Sequence, residues 1–577
     1  MGLLSQFFQW VDADVARYWL LAWTSLAVTA LVSVAPACSW LRGPASPPTG
    51  RAGRWLAHPG VYVAAVLLTF AAFRWPVWFF HGMGNPDEAQ LISGAITLRD
   101  SPVFWKSVDG TTFGPLIFFA PLLPAALGLE LDYLGARVLG TALHALALLG
   151  VWAAARRWLS DPAARLGVLP GVILLGTTSF GEFVQYNSEM VPLALLGLAA
   201  AAVASGLAAP PQWGRGWLFT ASLLLGAVPF AKLQAGPIAG LMALLLIITL
   251  GRRWWREPIP PILFQLLWLI GGGLLPTALV ALHLFIFGLG PQFWQSYIVS
   301  NLSYASDGNF SWSWIRDQWY PFLGTVSGFT GTFTGQLVVF VLSGGLVFFG
   351  DRRTRPMLLA GWMVLGVTFL AVMAPGRIFP HYLQFMVPPL AFLLAVHLQG
   401  LRDFLQKYLP AGPAGFLRWI VLGAVIVATA GPAVLGRKQE PMAFTGAFSR
   451  HFTEPWRKPV SHVIRTQARP GERLTVWGWM PGFYVETGLP QGTRDGHTQR
   501  MITEWPMRGF YRDRFLRDFR RNRPAWFVDA VGGDNFFFTD RAAAGHEIFA
   551  ELEEMIRADY TLVADLEGSR IYRRNAP

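Results

Sequence analysis

The strongest constraint in this chain is a recurrence: apolar stretches of about 20 residues, broken by short polar loops, run from residue 18 to residue 435. A bilayer core about 30 Å thick takes roughly 20 helical residues to cross, and lipid demands that each segment satisfy its own backbone polar groups. Twelve spans are predicted, at 18–40, 59–80, 135–155, 166–182, 190–209, 217–231, 235–250, 262–288, 330–349, 356–374, 383–399 and 416–435. The stretches 217–231 and 235–250, separated only by Lys232, Leu233 and Gln234, could instead form a re-entrant pair. Composition agrees, since 14% of residues are charged and 53% hydrophobic, against about 25% charged in soluble domains. The lone cysteine, Cys38, excludes a disulfide scaffold and follows no lipobox.

Half of all charged residues lie after Leu435. The chain therefore divides into a membrane unit, 1–435, and a polar unit, 436–577, with no repeat and a Pro-rich linker near Gly43 to Gly50. In the polar unit Leu474 to Trp479 and Ala525 to Val531 read as buried strands. Tyr560 to Asp565 and Ser569 to Arg573 read as a strand pair about the Glu567-Gly568 turn. Helical stretches near 455–468, 508–522 and 545–558 complete a small α/β domain.

Basic residues give orientation, because Lys and Arg accumulate in cytoplasmic loops. With the N-terminus outside, the inner loops hold Arg42, Arg51, Arg54, Arg156, Arg157, Arg165, Arg215, Arg252, Arg253, Arg256, Arg352, Arg353, Arg355, Arg402, Lys407 and Arg418. The outer loops hold five: Arg99, Lys106, Lys232, Arg316 and Arg377. The +12 net charge is thus an anchoring signal, not a nucleic-acid footprint. Both termini fall outside, and the apolar run Pro115 to Leu131 must be a re-entrant or surface-lying helix on that face. The first seventeen residues, with Asp12 and Asp14 against Arg17, lack the basic leader of a signal peptide.

Acidic residues show the opposite bias. Asp161, Glu257, Asp351 and Asp403 are inner, whereas Asp87, Glu88, Asp100, Asp109, Glu130, Asp132, Glu182, Glu189, Asp307 and Asp317 are outer. Solvated loops tolerate carboxylates, but three places invite a chemical reading. Asp87-Glu88 follows Asn85-Pro86, a helix-start signal, and an acidic pair partly desolvated at a membrane surface is suited to act as a general base. Glu182 and Glu189 share one short outer turn and must sit at the interface. Lys232, Arg377 and His381 with Tyr382 are basic and aromatic groups on a face nearly free of cations; they either hold a phosphate or snorkel toward headgroups. Carboxylates and phosphate-binding cations on one membrane face suggest transfer from a lipid-linked phosphate. The phosphate would leave and one carboxylate would take the acceptor's proton.

Four motifs carry a resemblance: NPDEAQ at 85–90, DGTTFGP at 109–115, EFVQYNSEMVP at 182–192 and RIFPHYLQFMVPP at 377–389. As a set they resemble the membrane glycosyltransferases of the C superfold, in the family-39-like branch of protein O-mannosyltransferases and lipid A aminoarabinose transferases. The resemblance implies a GT-C type helical membrane domain with a catalytic outer loop at about 81–134. It implies an undecaprenyl- or dolichyl-phosphate sugar donor, no nucleotide sugar, and a site on the outer face of a bacterial cytoplasmic membrane. It casts Asp87 as general base with Glu88 as partner, Glu189 as second acid, and Lys232, Arg377, His381 and Tyr382 as donor-phosphate contacts. Glu182 and Asp109 are secondary candidates. An extra N-terminal span precedes the helix leading into the catalytic loop.

Asp87, Glu88 and Glu189 are also hard oxygen ligands that could hold magnesium or calcium. The acceptor is a glycan, lipid or protein hydroxyl, and Trp477, Trp479, Trp505 and Trp526 either stack on it or fill the outer domain's core. The competing reading is a lipid or polysaccharide transporter with cation-binding outer acids, although transporters place ionisable groups at mid-membrane. A catalytically idle relative that uses its outer domain for binding is a third.

Overall fold

The computed structural model describes residues 1–577 except 1–5, 8, 12, 43–49, 81, 210, 255–258, 307, 309, 351, 409–413, 440–457, 534 and 577. Asp12, Arg256, Glu257, Asp307, Asp351 and most of the Pro-rich linker therefore lie outside the described residues. Ten helices among the described residues are long and apolar enough to cross a membrane, from Val15–Cys38 to Phe416–Arg437. Two 17-residue helices, Asp161–Thr177 and Pro211–Ala227, occupy the predicted positions near 166–182 and 217–231. The stretches flanking Lys232 are both helical. They form separate helices, Pro211–Ala227 and Gly236–Trp254, joined through two 3-10 turns, so the break at Lys232 is a corner between them. Pro115 to Leu131 yields only two short helices, Pro115–Phe119 and Leu122–Ala126, with prolines at 121 and 124 interrupting any longer run.

Three arginines stitch the bundle. Arg165, predicted as a loop residue, is fully buried and donates to the carbonyls of Val32 at 2.8 Å, Leu56 at 2.9 Å and Ala57 at 2.7 Å while pairing with Asp161. It ties three segments together instead of anchoring a loop. Arg74 donates to the carbonyls of Phe183 (2.9 Å) and Leu175, and Arg137 is described below. The carbonyls they take lie at or near helix ends, except that of Val32, whose helical donor position is occupied by Pro36, so these groups lack intrahelical donors.

In the C-terminal domain strands β1 (Leu474–Trp477), β2 (Trp526–Asp529), β3 (Tyr560–Leu566) and β4 (Ser569–Arg574) form one sheet in the order β1-β2-β4-β3. β1 and β2 are parallel, and the other pairings are antiparallel. Every residue of β1 and β2 is buried, which explains why they are mostly apolar; Thr475 and Asp529 are the exceptions. Phe527 and Trp477 face a core with Phe515 and Leu552 from helices Arg508–Asn522 and Ala550–Asp559. Trp526 and Val476 face another with Val460 and Ile464 of helix Pro459–Gln467.

The domain rests on one end of the bundle through helix Pro86–Asp100, of which twelve residues are buried. Gln491 Nε2 donates to Ser93 Oγ at 2.9 Å, its backbone N–H donates to Thr97 Oγ1 at 3.0 Å, and Arg473 pairs with Asp100. Asp109, a secondary catalytic candidate, belongs to this junction. Its carboxylate is bound by Arg514, which also holds Asp495 and donates to Ser296 Oγ at 2.7 Å. Burial works to raise Asp109, and the Arg514 guanidinium overrides it, taking the carboxyl down to about 2. Asp495 goes the other way, pushed by burial to about 6 despite Arg514.

Candidate active site

Asn85 caps helix Pro86–Asp100. Its Oδ1 accepts from the Asp87 N–H at 2.8 Å, and Pro86 occupies the first turn, where its missing N–H costs nothing. That start fixes two adjacent acids on opposite sides. Glu88 turns into the bundle, 1% exposed, and receives Arg137 Nε at 3.0 Å, Arg137 Nη2 at 2.6 Å and the Tyr186 N–H at 2.9 Å. Arg137 also donates to the carbonyls of Val77 at 3.1 Å, Gly82 at 3.0 Å and Phe80. Glu88 is thus not a free partner for Asp87. It clamps the loop start to helix Tyr133–Trp158 and to the turn at Tyr186.

Asp87 turns into a small cleft walled by Asn85, Glu182, Gln185, Asn187, Ser188 and His381. No hydrogen bond reaches its carboxylate among the described residues. Burial raises its pKa above the ordinary carboxylate value; Glu182 and Glu189 add to the rise, and His381 and Lys232 oppose it. Gly84 permits this approach of loops, since a Cβ there would lie 1.8 Å from Gln185 Nε2.

The two acids of the second loop are brought in as predicted positions but with fixed partners. Glu182 binds His381 and accepts from Asn85 Nδ2 at 2.9 Å. Glu189 binds Lys232, whose Nζ also donates to Ser188 Oγ at 2.8 Å. Burial acts to raise Glu189, and Lys232 outweighs it, so the carboxyl stays below its usual value. Lys232 arrives from the corner between two helices because residues 113 and 114 pair with it in extended form. Gly114 N–H donates to the Ala231 carbonyl at 2.8 Å, and a Cβ on Gly114 would collide with the Phe230 carbonyl at 2.1 Å. The ammonium lies 4.8 Å from the Tyr382 ring centroid.

Arg377 is different. It forms no ion pair among the described residues, and its guanidinium stacks 4.5 Å over the ring of Tyr304, whose hydroxyl meets Tyr382 Oη at 3.1 Å. Neither Tyr304 nor Arg137 figured among the predicted site residues. Arg137 had a signal, a charged residue inside an apolar span; Tyr304 had none. Asp87, Glu88 and Glu189 do not converge as a cation cage. The one group of three metal-type side chains with ligand atoms within 4.8 Å of one another, among the described residues, is Asp529, His546 and Glu547 in the other domain. Glu88 and Glu189 are committed to Arg137 and Lys232.

An open apolar groove runs along the bundle. At its upper end are Leu193, Ile238, Phe385 and Pro388, each within about two helical turns of Glu189, Lys232 or Tyr382 along the chain; at its other end are Trp158, Leu207 and Thr249.

This helical fold has a likeness among solved membrane-protein structures. Among solved structures the chain is similar to ArnT from Cupriavidus metallidurans bound to undecaprenyl phosphate, with a TM-score of 0.54 at 16% identity over 90% of this chain and 98% of that one. It also matches the oligosaccharyltransferase of Archaeoglobus fulgidus in the apo form, at TM-score 0.46 and 13% identity over 81% and 69% of the two chains. No family model and no curated protein matches the sequence.

Proposed function

We propose that this protein is a glycosyltransferase that moves a sugar from a polyprenyl-phosphate donor to an acceptor hydroxyl at the outer face of the cytoplasmic membrane. The observation that carries this reading is the apolar groove ending beside the helix ends that hold Glu189, Lys232, His381 and Tyr382. A long isoprenoid chain fits such a groove, and its phosphate would then lie among cations. The bound undecaprenyl phosphate of ArnT supports the same donor class on the same fold.

In this scheme Arg377, which forms no ion pair among the described residues, binds the donor phosphate and stabilises the charge that develops as the sugar–phosphate bond breaks. Asp87, ionised and unpartnered, accepts the proton of the attacking hydroxyl; its raised pKa makes it a better base at neutral pH than an ordinary carboxylate. Glu182–His381 and Glu189–Lys232 hold the cleft walls and keep its net charge low. Residues 1–435 form the catalytic unit and 436–577 the outer domain.

The test is lipid and glycan profiling of a deletion strain. A polyprenyl-phosphate sugar should accumulate, and one glycan should lose a residue; unchanged pools of both would rule the reading out.

A further inference from the structure

The donor has a groove and a cation, but the acceptor must be held as well, and one surface of the C-terminal domain has the chemistry for it. The loops leaving the carboxyl ends of the parallel strands β1 and β2 lie side by side, the place where sheets with parallel strands commonly bind ligands. The first loop supplies Trp479 and the second Phe536 and Phe537. Trp479 stacks on His497 with centroids 4.6 Å apart and meets Phe536 edge-on at 5.4 Å and Phe537 at 5.7 Å. Its indole Nε1 is buried with no hydrogen-bond partner among the described residues.

The other tryptophans among the described residues of the domain are accounted for. Trp477 and Trp526 are fully buried, and Trp505 Nε1 donates to the Arg500 carbonyl at 2.8 Å. Phe536 and Phe537, in contrast, are 43% and 63% exposed, the exposed aromatics among the described residues of this domain. Phe537 also holds φ at +69°, the left-handed region that strains a bulky residue. Strained aromatic rings left in water at a loop tip are a feature of binding surfaces.

Their position points to the reaction. The Phe536 N–H donates to Met480 Sδ at 3.4 Å, Met480 packs in one cluster with Met83, and Met83 and exposed Gly84 lead directly into Asn85 and Asp87. Buried Met480 and partly buried Met83 therefore tie the loop that carries the rings to the segment that leads into Asp87.

We infer that Phe536, Phe537 and Trp479 form an acceptor subsite that stacks on the apolar faces of pyranose rings, so that a hydroxyl of a carbohydrate acceptor reaches Asp87. This rests on the glycosyltransferase reading and selects a glycan, not a protein, as the acceptor. The experiment uses full-length protein in nanodiscs and two probes: undecaprenyl phosphate, and a panel of gluco-, galacto-, manno- and N-acetylglucosamine tetrasaccharides. Wild type should bind at least one tetrasaccharide saturably. The doubly substituted F536A/F537A protein should lose roughly tenfold or more of that affinity, with donor-lipid binding and thermal unfolding unchanged. Leu562→Ala, on the exposed β3 strand, should bind as wild type. Absence of tetrasaccharide binding with donor-lipid binding intact, or equal affinity in F536A/F537A, overturns the subsite alone. So does a photoreactive phenylalanine analogue at position 537 that captures phospholipid instead of saccharide. Failure of wild type to bind undecaprenyl phosphate falls on the donor reading instead.

Discussion

The cleft around Asp87 and the ion cluster around Arg514 lie at the two faces of one loop region, and both bury acids against cations. At Arg514 the guanidinium is shared by Asp109 and Asp495, and Arg494 holds Asp518 at 2.7 Å nearby. Each cation there is spent on the fold. Among the described residues Asp87, in the cleft, accepts no hydrogen bond, and Arg377 forms no ion pair and stacks on Tyr304. The difference separates groups that hold the chain together from groups still available to a substrate, and burial alone would not have made that distinction.

Breaking each side should give different phenotypes. Asp87→Asn should lower sugar transfer by about a hundred- to ten-thousand-fold without shifting thermal unfolding; transfer at the wild-type rate in purified protein would remove Asp87 as base. Arg514→Leu strands two buried carboxylates and should destabilise the junction by about 3–5 kcal/mol, read as early protease cleavage between domain and bundle. If cleavage and unfolding match wild type, the cluster is not what docks the domain. Arg377→Ala should weaken donor binding roughly tenfold to a hundredfold, the scale of charged hydrogen bonds, with thermal stability retained. Unchanged donor affinity and turnover would take Arg377 out of the site.

The smallest effect is in pH. Asp87 must be ionised to act and its folded pKa is raised, so activity should fall with acidification at a pH above the ordinary carboxylate value of about 3.9. That limb should be missing from the residual activity of Asp87→Asn. For stability the junction carries two opposite signs. Asp109, depressed to about 2, contributes stability at neutral pH that is lost as pH falls below its unfolded value toward 2. Asp495, raised to about 6, favours the folded state when protonated, and that contribution fades as pH rises from its unfolded value through 6.

Much of this was legible in the sequence. Each predicted span corresponds to a helix because lipid makes apolar length nearly sufficient to specify one. β1 and β2 were readable because strands buried on both faces are mostly apolar. Asp87 was reachable because Asn85-Pro86 announces a helix start. The roles of neighbouring acids were not. Glu88 and Asp109 looked as reactive as Asp87, and only the positions of Arg137 and Arg514, distant in sequence, show them to be clamps. The same limit hid Tyr304, which meets Tyr382 across 78 positions of chain.

Helix Pro86–Asp100 has one more consequence. It carries Asp87 at its first turn, is tied to the bundle through Glu88, and is tied to the C-terminal domain through Ser93, Thr97 and Asp100. This helix is therefore common property of two units far apart in sequence. A chimera that exchanges only residues 458–577 with a relative would inherit a mismatched seat for the helix that carries Asp87. Recombination that respects the molecule must move 82–132 along with the domain, even though more than 300 residues of membrane-spanning chain separate them.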